Sequence, residues 1–177
     1  MTETIKVSES LELHAVAESH VTPLYQLICK NKTWLQQSLN WPQFVQSEED
    51  TRKTVQGNVM LHQRGYAKMF MIFKEDELIG VISFNRIEPL NKTAEIGYWL
   101  DESHQQGIIS QALQALIHHY AQSGELRRFV IKCRVDNPQS NQVALRNGFI
   151  LEGCLKQAEF LNDAYDDVNL YARIIDS

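Results

Sequence analysis

The chain has 177 residues, of which 44% are hydrophobic and 22% charged, and its formal net charge is −5. This is the composition of an ordinary globular protein, and the length is too short for two ordinary domains, so we expect a single domain over residues 1–177. The negative charge disfavours a nucleic-acid partner, because affinity for phosphates comes from clustered Lys and Arg, but it leaves cationic amines open as substrates.

Neither a metal site nor a membrane segment is indicated. The three cysteines, Cys29, Cys133 and Cys154, stand far apart and no pair has the spacing of metal ligands. The first residues have neither the basic start nor the apolar core of a signal peptide, so no signal peptide is expected. No apolar run approaches the ~20 residues that cross a bilayer. The sequence therefore predicts a cytoplasmic protein with no bound metal and no membrane partner.

The first part of the chain predicts one strand and two helices. Residues 11–17 alternate between apolar and polar side chains, which is typical of an edge strand. Apolar residues recur at helical spacing around Pro23, and Pro is tolerated in the first turn of a helix. A second helix should begin at Ser47, where three acidic residues follow at the positive end of the helix dipole. The segment between the two helices, rich in aromatic residues, is predicted to be irregular.

The middle of the chain predicts an antiparallel meander. Residues 69–73 and 78–87 flank a polar turn and should form a hairpin, and residues 94–100 should form the next strand. The apolar period then changes to that of a helix over residues 107–122.

The last part of the chain predicts three strands and a short helix. Residues 128–135 should form a strand, and the helix should begin at Asn137 and Pro138. Two more strands are predicted over residues 149–160 and 167–175. Seven strands with one β-helix-β crossover make a mixed sheet of the α+β class.

Two places in this order carry chemistry. Residues 101–107 lead from a strand directly into a helix, whose first backbone N–H groups are unpaired and can hold a pyrophosphate. Gly107 allows a ligand to approach the backbone closely. A second cluster follows the fifth strand, and its residues stand in a fixed order: Asn137, Ser140, Gly148, Phe149, Glu152 and Gly153.

This ordered set resembles the GNAT superfamily of acetyltransferases, and within it the branch that acetylates the N-termini of ribosomal proteins. Residues 95–100 are similar to the family's strand signature, and the resemblance covers nearly the whole chain. It implies the GNAT fold, with helices on a mixed seven-stranded sheet whose fourth and fifth strands splay apart. It also implies acetyl-CoA as cosubstrate, bound between those strands.

The resemblance further implies the residues that contact acetyl-CoA. Backbone groups of Trp99 and Leu100 should pair with the pantetheine arm in the manner of an added strand, and Asn137 should hydrogen-bond the same arm. Asn137 is equally suited to cap the helix before Pro138, and both roles are compatible. The pyrophosphate should lie on the backbone N–H groups of the loop and first helical turn: Gln105, Gln106, Gly107, Ile108, Ile109 and Ser110.

The phosphate loop departs from the family pattern, which reads Gln/Arg-x-x-Gly-x-Gly/Ala. Counting back from Gly107, His104 stands where Gln is expected, and Gln105 lies one place too close. The loop therefore looks one residue short. Ile109 fills the Gly/Ala position with a bulkier side chain.

Direct attack of a neutral amine on the thioester requires a base and a donor for the departing thiolate. Many family members place a tyrosine at the position of Ala144 as this donor, so we assign the role to Ser140, one turn earlier on the same helix face. We expect Glu159 to be the base, with Glu95 or an ordered water as alternatives.

The expected reaction is transfer of acetyl to the α-amine of the N-terminal residue, a serine, of a ribosomal protein. Two alternatives stay open: acetylation of a small amine such as a polyamine or an aminoglycoside, and a CoA-binding module without catalysis. The aromatic segment 32–44 should wall the acceptor site or form the interface of a homodimer.

Overall fold

The computed structural model describes residues 3–104 and 107–176. Helices pack on a mixed sheet, as the sequence predicts. The elements run, in chain order: β1 (Thr4–Lys6), β2 (Leu11–Ala15), α1 (Val21–Lys30), α2 (Lys32–Gln36), α3 (Glu48–Arg64), β3 (Lys68–Lys74), β4 (Glu77–Glu88), β5 (Thr93–Leu100), α4 (Gly107–Gln122), β6 (Arg128–Arg134), α5 (Pro138–Arg146), β7 (Ile150–Leu161) and β8 (Ala164–Ile174).

In the described part of the chain the sheet has eight strands in the order β1-β2-β3-β4-β5-β6-β8-β7, so the expectation of seven strands was wrong by one. The added strand is β1, which pairs with β2. It has three residues and only its middle residue, Ile5, is buried, so it is too short to show a period in sequence. Because β2 is paired on both sides, it is not the edge strand that its alternation suggested.

Two cores lie on opposite faces of the sheet. On one face, α4 packs its apolar side, including Leu113, Leu116 and Tyr120, against the middle strands. On the other face, α1 and Val55 of α3 cover β3 and β4. The predicted start of α3 is confirmed: Ser47 Oγ accepts from Asp50 N at 3.4 Å, and Ser47 N donates to Asp50 Oδ2 at 3.2 Å.

The decisive feature for function is the pair β5 and β6, the parallel neighbours created by the α4 crossover. They are hydrogen-bonded from Thr93–Arg128 to Ile96–Ile131, and pairing ends there. Residues 97–100 and 132–134 then separate, because β6 continues along β8 while β5 continues along β4. The predicted splay of the two strands is confirmed, and it opens a cleft in the sheet.

The N-terminal segment is held by one carboxylate. Tyr120 Oη donates its one proton to the Glu3 carboxylate, whose two oxygens lie 2.9 and 3.1 Å away, and His62 Nε2 lies 3.4 Å from Glu3 Oε1. The contact with His62 is the main cause that lowers the pKa of Glu3 to about 2, with further lowering by Tyr120 and Lys68, against burial, which raises it. The ionised carboxylate therefore ties the start of the chain to α3 and α4.

Glu3→Gln should remove part of the pH dependence of stability on the acid side. Because the pKa of Glu3 is depressed in the folded state, its contribution is complete above about 4.5 and is lost as the pH falls towards about 2. The Glu3 side chain is 35% exposed, so solvent screening reduces its contribution to the free energy of unfolding to about 1–2 kcal/mol. Urea unfolding at pH 7 and pH 3 measures the free energy of unfolding. Its decrease between the two pH values should be smaller in Glu3→Gln than in wild type. In the control Glu9→Gln, a residue on an exposed bend, the decrease should equal that of wild type.

Candidate active site

The splayed strands enclose a cavity of about 350 Å³. It is walled by the open ends of β5 and β6, with α5 on one side and α2 and β7 on the other. Trp34 of α2, a segment predicted to be irregular, donates from Nε1 to the carbonyl of Leu100 at 3.2 Å and so fixes one wall. Both residues predicted to be catalytic, Ser140 and Glu159, line this same cavity. The sequence did not show that they share it.

Ser140 lies at the centre of a short chain of polar contacts. Its Oγ is 3.1 Å from Tyr98 Oη and donates to Cys133 Sγ at 3.2 Å. Its backbone N donates to Asn137 Oδ1 at 3.2 Å, so Asn137 is the helix cap that the sequence allowed. Burial raises the pKa of the Cys133 thiol, and the hydrogen bond from Ser140 partly opposes this. The serine hydroxyl is therefore presented to a sulfur atom inside the cleft.

Glu159 reaches the cleft because β7 is irregular. The pairing of β7 with β8 shifts between Leu155 and Glu159, and Gln157 has a left-handed φ of 48°. The carboxylate lies 3.8 Å from Arg134 Nη1, whose side chain is 7% exposed. Burial raises the pKa of Glu159, Arg134 lowers it and Asp136 raises it, with a net rise above the ordinary value. A carboxylate with a raised pKa is a better proton acceptor near neutral pH.

Arg134 fixes the surroundings of that carboxylate. Its guanidinium donates to Asp136 at 3.1 and 3.3 Å, to Asp166 at 3.3 Å, and to the backbone carbonyl of Glu159 at 3.3 Å. The alternative base, Glu95, also lines the cavity, but its Oε1 is 3.6 Å from Lys132 Nζ.

Of the residues predicted to contact acetyl-CoA, Trp99, Leu100 and Asn137 line the cavity, whereas Gly107 to Ser110 are not among its lining residues. Trp99 and Leu100 are in the part of β5 that β6 does not pair with, and the Leu100 carbonyl accepts the bond from Trp34. Gly107, Ile108, Ile109 and Ser110 form the first turn of α4. Ile109 is fully buried in the core, and Ser110 Oγ accepts from Asn147 Nδ2 at 3.0 Å. Gln105 and Gln106 lie outside the described residues.

A model of the acetyltransferase (GNAT) domain matches residues 10–150. The chain belongs to the GNAT family. A protein of Escherichia coli K12 named ribosomal-protein-serine acetyltransferase is 98% identical over 178 aligned positions, which cover 100% of this chain and 99% of that protein. The alignment is one position longer than this chain, so at least one residue of that relative has no counterpart here.

Two solved structures of GNAT proteins are close to this one. A ribosomal L7/L12 α-N-protein acetyltransferase, in complex with coenzyme A joined by a disulfide to one of its cysteines, has a TM-score of 0.96 at 68% identity and covers 98% of each chain. The acetyltransferase of Salmonella typhimurium that modifies the N-terminal serine of L7/L12 has a TM-score of 0.92 at 66% identity, covering 98% of this chain and 100% of that one.

One buried contact at the end of β5 escaped the sequence analysis. Asp101, whose side chain is 2% exposed, accepts from Asn31 Nδ2 at 2.6 Å and Lys30 Nζ at 3.3 Å, and also from Ser103. Burial acts to raise the pKa of Asp101, but these hydrogen bonds outweigh it and hold the pKa below the ordinary value. The carboxylate joins the end of β5 to α1. The partner Asn31 is 70 positions away, so no local pattern reveals the pair.

Two further observations concern the described residues alone. None of their helices has the length and apolar character required to cross a membrane. Within the ranges 3–104 and 107–176, no group of three or more His, Cys, Asp or Glu is arranged to hold a metal ion.

Proposed function

We propose that this protein transfers the acetyl group of acetyl-CoA to the N-terminal serine α-amine of ribosomal protein L7/L12. The observation that carries the proposal is the cleft between β5 and β6, which a carboxylate and a serine hydroxyl both line. The acceptor follows from the relative that is 98% identical over the whole chain and from the related structures that act on the L7/L12 N-terminus.

Acetyl-CoA is the substrate that the backbone groups of the cleft and of α4 would hold. The open sides of Trp99 and Leu100 would pair with the pantetheine, and Asn137 stands at the start of α5 beside the same cavity. The first N–H groups of α4, at Gly107, Ile108, Ile109 and Ser110, would bind the pyrophosphate, together with Gln105 and Gln106. The buried Ile109 side chain does not interfere, because only its backbone is required.

Chemistry begins when the neutral α-amine attacks the thioester carbonyl carbon. Glu159 accepts a proton from the amine, the C–S bond breaks, and the sulfur departs as a thiolate. Ser140 Oγ–H donates a hydrogen bond to that thiolate, in the position where it now donates to Cys133 Sγ. Both groups line one cavity, so Glu159 can accept the proton from the substrate nitrogen while Ser140 donates to the departing sulfur.

A coenzyme A sulfur near Cys133 fits the relative in which coenzyme A is disulfide-bonded to a cysteine. Of the cysteines Cys29, Cys133 and Cys154, only Cys133 is buried and lines the cleft. A sulfur brought within bonding distance of Cys133 would also lie within reach of Ser140, whose Oγ is 3.2 Å from the same Sγ. This contact supports Ser140 as the thiolate donor.

A competition assay tests the proposal against the two alternatives. With limiting acetyl-CoA, an N-terminal peptide of L7/L12 that begins with serine should take nearly all the acetyl group, in preference to spermidine and an aminoglycoside. The same peptide with a blocked α-amine is the control and should take none. Preferred acetylation of either small amine would contradict the proposed acceptor, and absence of transfer to all three would support a module that only binds CoA.

The cell compartment and the assembly belong to the same proposal. We place the protein in the cytoplasm, where ribosomes are made, and we expect a homodimer. The dimer is supported by β7, which lies at the edge of the sheet and exposes the apolar residues Ile150 and Leu151, because an open strand edge can pair with a second copy.

A further inference from the structure

Tyr98 lies in the cleft and has no role in the mechanism above. It is on β5, within the stretch 97–100 that has separated from β6, and its ring packs against the core on the α4 side. Its hydroxyl points across the cleft to α5, where it is 3.1 Å from Ser140 Oγ. The Tyr98 hydroxyl either orients the Ser140 hydroxyl or touches it without any consequence for the reaction.

The direction of the hydrogen bonds favours the first possibility. A serine hydroxyl has one proton to donate, and Ser140 donates it to Cys133 Sγ at 3.2 Å. Either oxygen in the contact between Tyr98 Oη and Ser140 Oγ can be the donor. With the Ser140 proton directed to Cys133 Sγ, the proton left for this contact is that of Tyr98, and Ser140 Oγ accepts it. The proton of Ser140 is thereby kept away from β5 and directed towards the sulfur side of the cleft.

Tyr98 is suited to hold this orientation and unsuited to supply the proton itself. Burial is the main cause that raises the pKa of Tyr98 well above its ordinary range. The phenol therefore stays protonated at every pH at which the protein works and remains a fixed donor. Donation to Ser140 Oγ also polarises the serine O–H bond, since hydrogen bonds in a chain strengthen one another.

We propose that Tyr98 is a positioning residue, which donates to Ser140 Oγ and so aims the serine hydroxyl at the sulfur of acetyl-CoA. The proposal rests on the proposed function of Ser140 as the thiolate donor. Ala144, one turn further along α5, is fully buried and offers no hydroxyl, so the phenol that contacts Ser140 comes from β5 and not from that position of the helix.

The test is a double-mutant cycle of Tyr98→Phe and Ser140→Ala, in the full chain, with acetyl-CoA and the serine-starting peptide. Loss of one neutral hydrogen bond should lower kcat about tenfold in Tyr98→Phe, with the KM for acetyl-CoA within about twofold of wild type. If Tyr98 acts through Ser140, the double variant should be no slower than Ser140→Ala alone. A purely structural role would not give this split between kcat and KM together with non-additivity.

Tyr120→Phe is the matched control, because it removes a buried hydroxyl that bonds Glu3 outside the cleft, and its kcat should equal that of wild type. Thermal unfolding checks that each variant is folded, and Tyr98→Met replaces Tyr98→Phe if the latter is not. Wild-type kcat in the folded Tyr98 variant, or losses that multiply in the double variant, would overturn the proposal. A wild-type rate in Ser140→Ala alone would instead contradict the proposed role of Ser140 as thiolate donor. It would therefore also contradict any action of Tyr98 through Ser140.

Discussion

Glu159→Gln should lower turnover of the serine-starting peptide about 10²-fold near pH 6.5, the lower range for loss of a general base. The substrate α-amine has a pKa near ~8, so below neutral pH it is mostly protonated and depends on an acceptor. Glutamine keeps the size of the side chain but accepts no proton. As the pH rises towards ~9 the amine loses its proton unaided, so the variant should recover most of the wild-type rate.

A profile of kcat from pH 6 to pH 9 measures this effect. Glu152→Gln is the matched control, since Glu152 is on the same strand but pairs with Arg128 outside the cleft, and its profile should follow that of wild type. Glu95→Gln tests the competing base that Lys132 holds. A wild-type profile in Glu159→Gln, combined with an acid-side loss in Glu95→Gln, would transfer the role to Glu95.

The strands could be predicted because their signals are local or repeated, whereas the splay was predicted only through the resemblance to the GNAT family. The apolar runs at residues 69–73 and 78–87 flank a polar turn, and they lie within β3 and β4. The register could not be predicted, because it depends on an irregularity. β4 has one unpaired residue, Asn85, between Phe84 and Arg86, and its amide lies across Gly97, where a Cβ would collide with it. Nothing in the sequence around Asn85 indicates that bulge.

The candidate site divides in the same way. Ser140 and Glu159 were predicted from the resemblance to the GNAT family together with their residue types and places in the chain, and both line one cavity in the structure. Tyr98 was predicted only as part of a strand, because its contact with Ser140 joins positions 42 residues apart. Such contacts depend on how α5 sits over the open end of β5, which is decided by packing and not by local pattern.

Ser140→Ala should lower kcat about 10²-fold at every pH from 6 to 9. The lost hydrogen bond acts on the sulfur only as it becomes a thiolate, so it stabilises the transition state and not the bound thioester. The dissociation constant for acetyl-CoA, measured by calorimetry, should therefore stay within about twofold of wild type, and the loss should fall on kcat. High pH supplies no donor to the thiolate, so the recovery expected for Glu159→Gln should be absent.

Ser123→Ala provides the control, since the Ser123 hydroxyl donates to the Tyr120 carbonyl at the end of α4 and does not line the cleft. Its rate should equal that of wild type. The two catalytic variants are separated by pH: only the loss in Glu159→Gln should shrink as the amine loses its proton. A parallel recovery of Ser140→Ala at high pH would mean that the serine assists deprotonation of the amine. Weakened acetyl-CoA binding with unchanged kcat would mean that it holds the bound thioester. Either result would contradict a donor that acts on the departing sulfur.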